Sequence, residues 1–412
     1  MKTTRRELIR GGLGLAAAGP TMLFANKATG YASGEIAQRM SSGKGPGGIT
    51  KEDIPTPSLL LDLDVFESNI AKMSDHCKAA SINLRPHAKT HKCAEIAIRQ
   101  MRAGAVGVCA ATIREAEAMA AAGVRGILIT SEMVGRPRME RLVRLTQKAA
   151  DTASAVDNVA HAVDLNDAAQ AAKIKLNVVI DIDPGMRRTG VPPGEKAVEL
   201  AEKIDKLPGL NLQGVQCYSG ASAHVVGFEA RRAHSEKATA PAFETIARLK
   251  KIGIEVGLVS GGSTGTYNID PAIKGLTELQ AGSYVFMDVE YRNIGGRGGA
   301  VYDDFGQSLT VVATVISRSH AGVATVDAGF KAFATDRGFG PEIKGVTGVK
   351  YNFAGDEHGM LELQKPSREI RLGDRLEFIV PHCDPNVNLY DRVYCLRGEK
   401  LEAVWSISRG YA

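Results

Sequence analysis

From Pro57 onward the chain alternates between two hydrophobic rhythms. An apolar run at 57–63 reads as a strand, and Asp64 opens a helical pattern that lasts to about Ala80. The same succession then recurs. Candidate strands fall at 82–86, 106–110, 126–130, 160–164, 176–182, 212–218, 255–260 and 278–282. Helical patterns lie between them, as at 114–122, 138–150, 195–206 and 228–251. Eight strands separated by helices predict an α/β fold, a (β/α)8 TIM-type barrel over 54–300, with reactive groups at the C-terminal strand ends. An open, doubly wound sheet is the competing topology.

Past residue 300 the helical period stops. Short β-rich runs at 301–318, 323–328, 375–381 and 393–408, separated by Gly and Asp, predict a C-terminal all-β domain over 301–412. The early strand at 57–63 is a candidate member of its sheet. Residues 31–53 are rich in Gly and Ser and read as a linker.

Composition narrows the function classes. The chain has 412 residues, 44% apolar and 24% charged, an ordinary globular balance. A net charge of +5, much of it in the first few dozen residues, predicts no nucleic-acid surface, and 5% aromatics offer few stacking platforms. Six cysteines without C-x-x-C spacing argue against a zinc finger or a disulfide scaffold. At the N-terminus, Arg5-Arg6 precede a weakly apolar Gly/Ala segment and Pro20, the pattern of a twin-arginine signal over 1–30. It predicts a periplasmic protein, with the cytoplasm as the alternative if these residues are only a basic tail. The apolar part is too short for a membrane anchor, and Ala25 to Ala28 match a cleavage site only loosely.

Candidate chemistry gathers at the strand ends. Arg85-Pro86-His87-Ala88-Lys89-Thr90-His91-Lys92 places Lys89 where the first barrel strand gives way to a helix. Like charges around it and partial burial are expected to disfavour its ammonium form, and a neutral amine can form an imine with an aldehyde. The fifth strand ends in Asp183-Pro184-Gly185-Met186-Arg187-Arg188-Thr189-Gly190 and the sixth in Tyr218-Ser219-Gly220. The seventh ends in Ser260-Gly261-Gly262-Ser263-Thr264-Gly265-Thr266, whose N–H groups and hydroxyls suit a phosphate. With the lysine, this loop suggests pyridoxal 5′-phosphate (PLP), and Tyr284 could add a phenol to the same phosphate. Late in the chain, a strand through Pro381-His382-Cys383-Asp384-Pro385 would project His382 and Asp384 to one face, a ligand pair for Mn²⁺, Mg²⁺ or Zn²⁺.

The motifs 86–92, Asp183-x-Gly185-x-x-Arg188-x-Gly190, 260–264 and His382-x-Asp384 occur together and in this order. Together they resemble the alanine-racemase-like (fold type III) PLP enzymes, in particular the D-threonine aldolase and D-serine dehydratase group. The resemblance runs from about Ile54 to the C-terminus. It implies that Lys89 carries PLP, that Arg188 (or Arg187, which pattern cannot separate from it) and Tyr218 border the ring, and that Gly262, Ser263, Thr264 and Tyr284 hold the phosphate. It further implies His382 and Asp384 as ligands of a divalent metal, Mn²⁺ foremost, with His382 acting in catalysis. The dehydratases of the group resemble one another in carrying His-x-Cys here, so the carboxylate is aldolase-like. The implied reaction is cleavage of D-3-hydroxy amino acids to glycine and an aldehyde. Its alternatives are a dehydratase giving a 2-oxo acid and ammonia, and a non-catalytic PLP-binding protein. Members of the fold resemble one another in forming dimers, which implies a homodimer.

Overall fold

The computed structural model describes residues 30–410; the expected signal over 1–30 lies outside them but for Gly30. Strand β1 (Ser58–Asp62) comes first, and its final residue caps the following helix, Leu63–Ala79, by accepting the Val65 N–H at 3.2 Å. Then come β2 (Asn83–Leu84), β3 (Val108–Ala110), β4 (Ile127–Ile129), β5 (Ala153–Val156), β6 (Leu176–Asp181), β7 (Leu210–Cys217), β8 (Leu258–Gly261) and β9 (Glu278–Leu279). They form an eight-stranded parallel sheet in the order β2-β9-β8-β7-β6-β5-β4-β3. A parallel bridge between His87 and Cys109, with the Cys109 N–H donating to the Pro86 carbonyl at 2.9 Å, joins the two edge strands. The sheet is therefore the expected barrel and not an open sheet. Its interior is filled by small side chains, among them Cys109, Ala153, Ala155 and Val179, with Leu128.

One strand lies earlier than its expected place. Residues 160–164 belong to the helix Val159–Ala171; the strand is Ala153–Val156. Asn158 accepts the Ala160 N–H at 2.8 Å and starts that helix, and its buried face, Ala162, Leu165 and Ala169, has helical spacing. The true strand, Ala-Ser-Ala-Val, has almost no β-branched content to mark it.

The C-terminal part adds β10 (Leu309–Ser317), β11 (Val323–Val326), β12 (Glu342–Ile343), β13 (Val349–Phe353), β14 (Gly359–Leu363), β15 (Arg375–Ile379), β16 (Arg392–Arg397) and β17 (Lys400–Ser406). With β1 they make a nine-stranded sheet. β1 lies at its centre, antiparallel to β10 and parallel to β16. The stretch read as linker contains a helix, Ser33–Ser41, whose Ile36 packs with Ile49, Ile54, Leu60 and Tyr394. A few well-spaced apolar residues sufficed to order it despite the Gly and Ser around them. One continuous core runs from the helix Leu63–Ala79 and the β2–β9 side of the barrel into the second sheet, through Phe66, Leu84, Tyr284, Phe305, Phe378 and Trp405. The two parts are packed as one body, and that packing brings C-terminal side chains to the barrel mouth.

Candidate active site

The turn after β2 disperses the basic cluster. Arg85 makes a two-pronged contact with Glu278 at 2.8 and 2.9 Å. Lys92 points away, to Glu115 at 3.4 Å and the Asn388 side-chain oxygen at 2.8 Å. His87 caps the short turn Ala88–Thr90, and its Nε2 lies 3.1 Å from the Thr130 hydroxyl. Burial, and then Lys89, hold His87 well below the usual imidazole range, and burial lowers His91 to about 4, so both rings are neutral. Lys89 turns into a cavity of about 310 Å³ lined by His87, Thr130, Asp181, Arg188 and Tyr218. Its amine sits 3.4 Å from Asp384 Oδ2.

That contact reverses an expectation. Lys89 was expected to be the more easily deprotonated for its neighbours. Burial is the largest single influence and pulls it down, but the Asp384 carboxylate and Tyr218 together outweigh burial and raise the amine above its ordinary value. Asp384 is correspondingly held well below the carboxylate range: burial opposes this, and Lys89 and then His382 overcome it.

Arg188 lines the cavity with its guanidinium 5.6 Å from the centre of the Tyr218 ring. Arg187 instead takes a left-handed backbone (φ 54°), and its N–H donates to the Asp183 carboxylate at 3.1 Å. In the loop after β8, Gly262 has φ +74°, and a Cβ there would stand 2.7 Å from Leu279 Cδ2. The Ser263 N–H donates to Thr266 Oγ1 at 3.0 Å, and Asp270 receives the Thr266 and Ser235 hydroxyls. The Thr264 hydroxyl accepts the Tyr284 N–H at 3.0 Å. Tyr284 thus meets the loop through its backbone; its phenol turns into the core, where Gln100 Nε2 donates to it at 3.1 Å. Fully buried Arg231 ties the surrounding segments together, donating to the carbonyls of Gly265 (2.7 Å), Val225 (2.9 Å), Ile294 (3.0 Å) and Gly295 (2.8 Å).

His382 and Asp384 do not lie on a strand. β15 ends at Ile379, and His382 opens the five-residue helix Cys383–Val387. The cause is Asp288, fully buried, whose carboxylate accepts the N–H groups of Tyr291 and Cys383, each at 2.8 Å, and bends the chain there. Cys383 is buried. The His382 Nδ1 lies 2.7 Å from Asp336 Oδ2, which puts the ring proton on Nδ1 and leaves Nε2 as the free donor atom. Among the described residues no three His, Cys, Asp or Glu side chains converge as a ready metal cluster. The donor set His382 and Asp384, one imidazole and one carboxylate, fits a divalent ion completed by water or substrate oxygen.

Sequence reasoning did not single out His224, Glu290, Asp336 or Arg337. His224 follows β7, with its Nδ1 3.3 Å from Glu290 Oε1. Burial, then Arg337 and His382, lower it to about 4, so it is a neutral base. Nothing in the sequence joins these four residues, which come from three separate segments.

Two family models divide the chain: "Alanine racemase, N-terminal domain" matches residues 61–290, and "Putative serine dehydratase domain" matches 308–396. The chain belongs to the alanine-racemase-like, fold type III PLP enzymes. Within that family it is 36% identical over 370 residues to a 3-hydroxy-D-aspartate aldolase of Paracoccus denitrificans, covering 88% of this chain and 95% of that one. The crystal structure of D-threonine aldolase from Filomicrobium marinum superposes with a TM-score of 0.84 at 39% identity, over 88% of this chain and 97% of that one. D-threo-3-hydroxyaspartate dehydratase from Delftia sp. HT23 superposes with a TM-score of 0.78 at 30% identity, over 88% of this chain and all of that one. For the fold type III cofactor, the residues present fit: an amine facing a cavity, a Tyr–Arg wall, and a glycine loop where a side chain would clash.

Proposed function

We propose that this enzyme cleaves the Cα–Cβ bond of D-3-hydroxy amino acids, giving glycine and an aldehyde, with PLP and a divalent metal. The observation that carries this reading is the meeting of Lys89 with Asp384 at 3.4 Å, which sets the lysine beside the His382–Asp384 pair. Lys89 would tether PLP, Arg188 and Tyr218 would border its ring, and the 262–264 loop would take its phosphate. Bound there, PLP supplies a sink for the electron pair left at Cα. A metal on His382 Nε2 and Asp384 would make the β-hydroxyl more acidic, and oxygen ligation favours Mn²⁺ or a similar ion. His224, neutral and with its Nδ1 turned to Glu290, offers Nε2 to remove the hydroxyl proton. Burial of His87 keeps it uncharged beside Lys89, so it adds no repulsion to the amine.

Dehydration is the second reading, favoured by the full-length overlap with the Delftia dehydratase. The carboxylate at Asp384 supports the aldolase instead. Product analysis decides: glycine plus an aldehyde from D-threonine or D-3-hydroxyaspartate supports cleavage, and a 2-oxo acid with ammonia overturns it. We also infer export by the twin-arginine route, from Arg5 and Arg6, and a homodimer, from family membership; scattering at twice the 43.8 kDa chain mass would support the latter.

A further inference from the structure

Two imidazoles lie close enough to the Lys89–Asp384 pair to feel its charges, and each has its Nδ1 near a carboxylate. His382 faces Asp336 at 2.7 Å and His224 faces Glu290 at 3.3 Å. One guanidinium spans both carboxylates. The Arg337 NH2 group lies 2.8 Å from Glu290 Oε2, and its Nε lies 3.4 Å from Asp336 Oδ2; both are charge contacts without hydrogen-bond geometry. NH2 also comes within 3.4 Å of the His382 Nδ1. The Glu290 side chain is only 12% exposed, so water screens these charges poorly. The segment carrying Asp336 and Arg337 is pinned one turn away, where the Ala334 N–H donates to the Asn386 side-chain oxygen at 2.9 Å.

We propose that Arg337 is a positioning residue. It clamps Asp336 and Glu290 so that the two carboxylates orient the rings of His382 and His224, the first toward the metal and the second toward the substrate hydroxyl. The proposal rests on the metal-assisted cleavage put forward above. Without the guanidinium, the poorly solvated Glu290 and the more exposed Asp336 lose their shared counter-charge and separate, so that His382 loses its hydrogen-bonded partner and His224 the carboxylate beside its Nδ1.

The test uses the PLP-loaded, full-length protein with Arg337→Gln, Arg337→Lys and Asp336→Asn. Metal-stripped protein is titrated with Mn²⁺ by calorimetry, and kcat and KM are measured for D-threonine and for D-3-hydroxyaspartate. Arg337→Gln is expected to weaken Mn²⁺ binding about 10- to 100-fold. It should lower kcat for both substrates even at saturating Mn²⁺, while the visible PLP band persists and Arg337→Lys recovers part of the loss. Asp336→Asn, at a partly exposed side chain, should weaken Mn²⁺ binding alone. Unchanged Mn²⁺ affinity and kcat in Arg337→Gln would overturn the clamp, as would unchanged affinity in Asp336→Asn should Arg337→Gln not fold. A rise in KM confined to D-3-hydroxyaspartate would also overturn it, by making Arg337 a ligand for the substrate's second carboxylate. If His382→Ala binds Mn²⁺ as the unaltered protein does, the metal reading itself has failed, and kcat in Arg337→Gln alone decides the clamp.

Discussion

The Lys89 amine and the Asp384 carboxylate lie 3.4 Å apart across the join between barrel and C-terminal segment. The contact holds the lysine protonated and the aspartate ionised. Attack on an aldehyde needs the neutral amine, so Asp384 should slow the uptake of PLP by protein that lacks it. Removing the carboxylate leaves burial, the largest influence, and the Arg188 charge to lower the amine against Tyr218 alone. Asp384→Asn apoprotein is therefore expected to develop its visible band at a lower pH than unaltered apoprotein. An identical pH dependence of band formation would show that Asp384 does not govern the lysine.

Lys89→Ala should lose both the lysine-linked absorbance and all turnover, since no other amine lines the cavity among the described residues. The check is borohydride reduction followed by peptide mapping. Label on Lys92, whose amine faces Glu115, would contradict the assignment.

Chelation tests the ligand pair. EDTA should abolish activity and Mn²⁺ restore it, and His382→Ala should keep its PLP while losing the metal response. Full activity after chelation would remove the metal from the reaction.

Acid stability should depend on His91. The ring is buried, its Nδ1 accepts the Cys93 N–H at 3.0 Å, and its folded value of about 4 lies below the ordinary 6.5. Between those values the unfolded chain binds the proton and the folded one does not, so stability falls as pH drops from 6.5 toward 4. The loss is on the order of 3 kcal/mol. His91→Asn, which keeps an acceptor without the titration, should flatten the pH dependence of the urea midpoint over that window. An unaltered slope would exclude His91 as its source.

Arg231→Met should cost about 3 kcal/mol or more by stranding buried carbonyls. Because one of them belongs to Gly265, PLP affinity should fall with it. A Tm and PLP affinity equal to those of the unaltered protein would contradict the pinning role.

Much of the barrel was legible because each strand end bore its own polar punctuation, and Lys89 and Arg188 lie in the cavity to which their motifs pointed. What escaped has physical reasons. The strand Ala153–Val156 is too small and too weakly β-prone to stand out from the capped helix beside it. His382 and Asp384 were legible as a pair but not as a helical turn, because the bend comes from Asp288, far away in sequence. The ionisation of Lys89 was misjudged for a similar reason: sequence neighbours are visible in a motif, and Asp384 is not one of them. His224, Glu290 and the Asp336–Arg337 pair carry no shared spacing, and only the fold brings the three segments together.

The central place of β1 in the second sheet bears on how the chain is made. Its partners are Leu309–Ser317 and Arg392–Arg397, so the Ser-Leu-Leu-Leu segment leaves the ribosome some 250 residues before the first of them exists. Until then an apolar strand with both edges open must be shielded or wait. Loss of the last two strands would expose that strand again, so C-terminal truncation should yield aggregates and not a free-standing barrel.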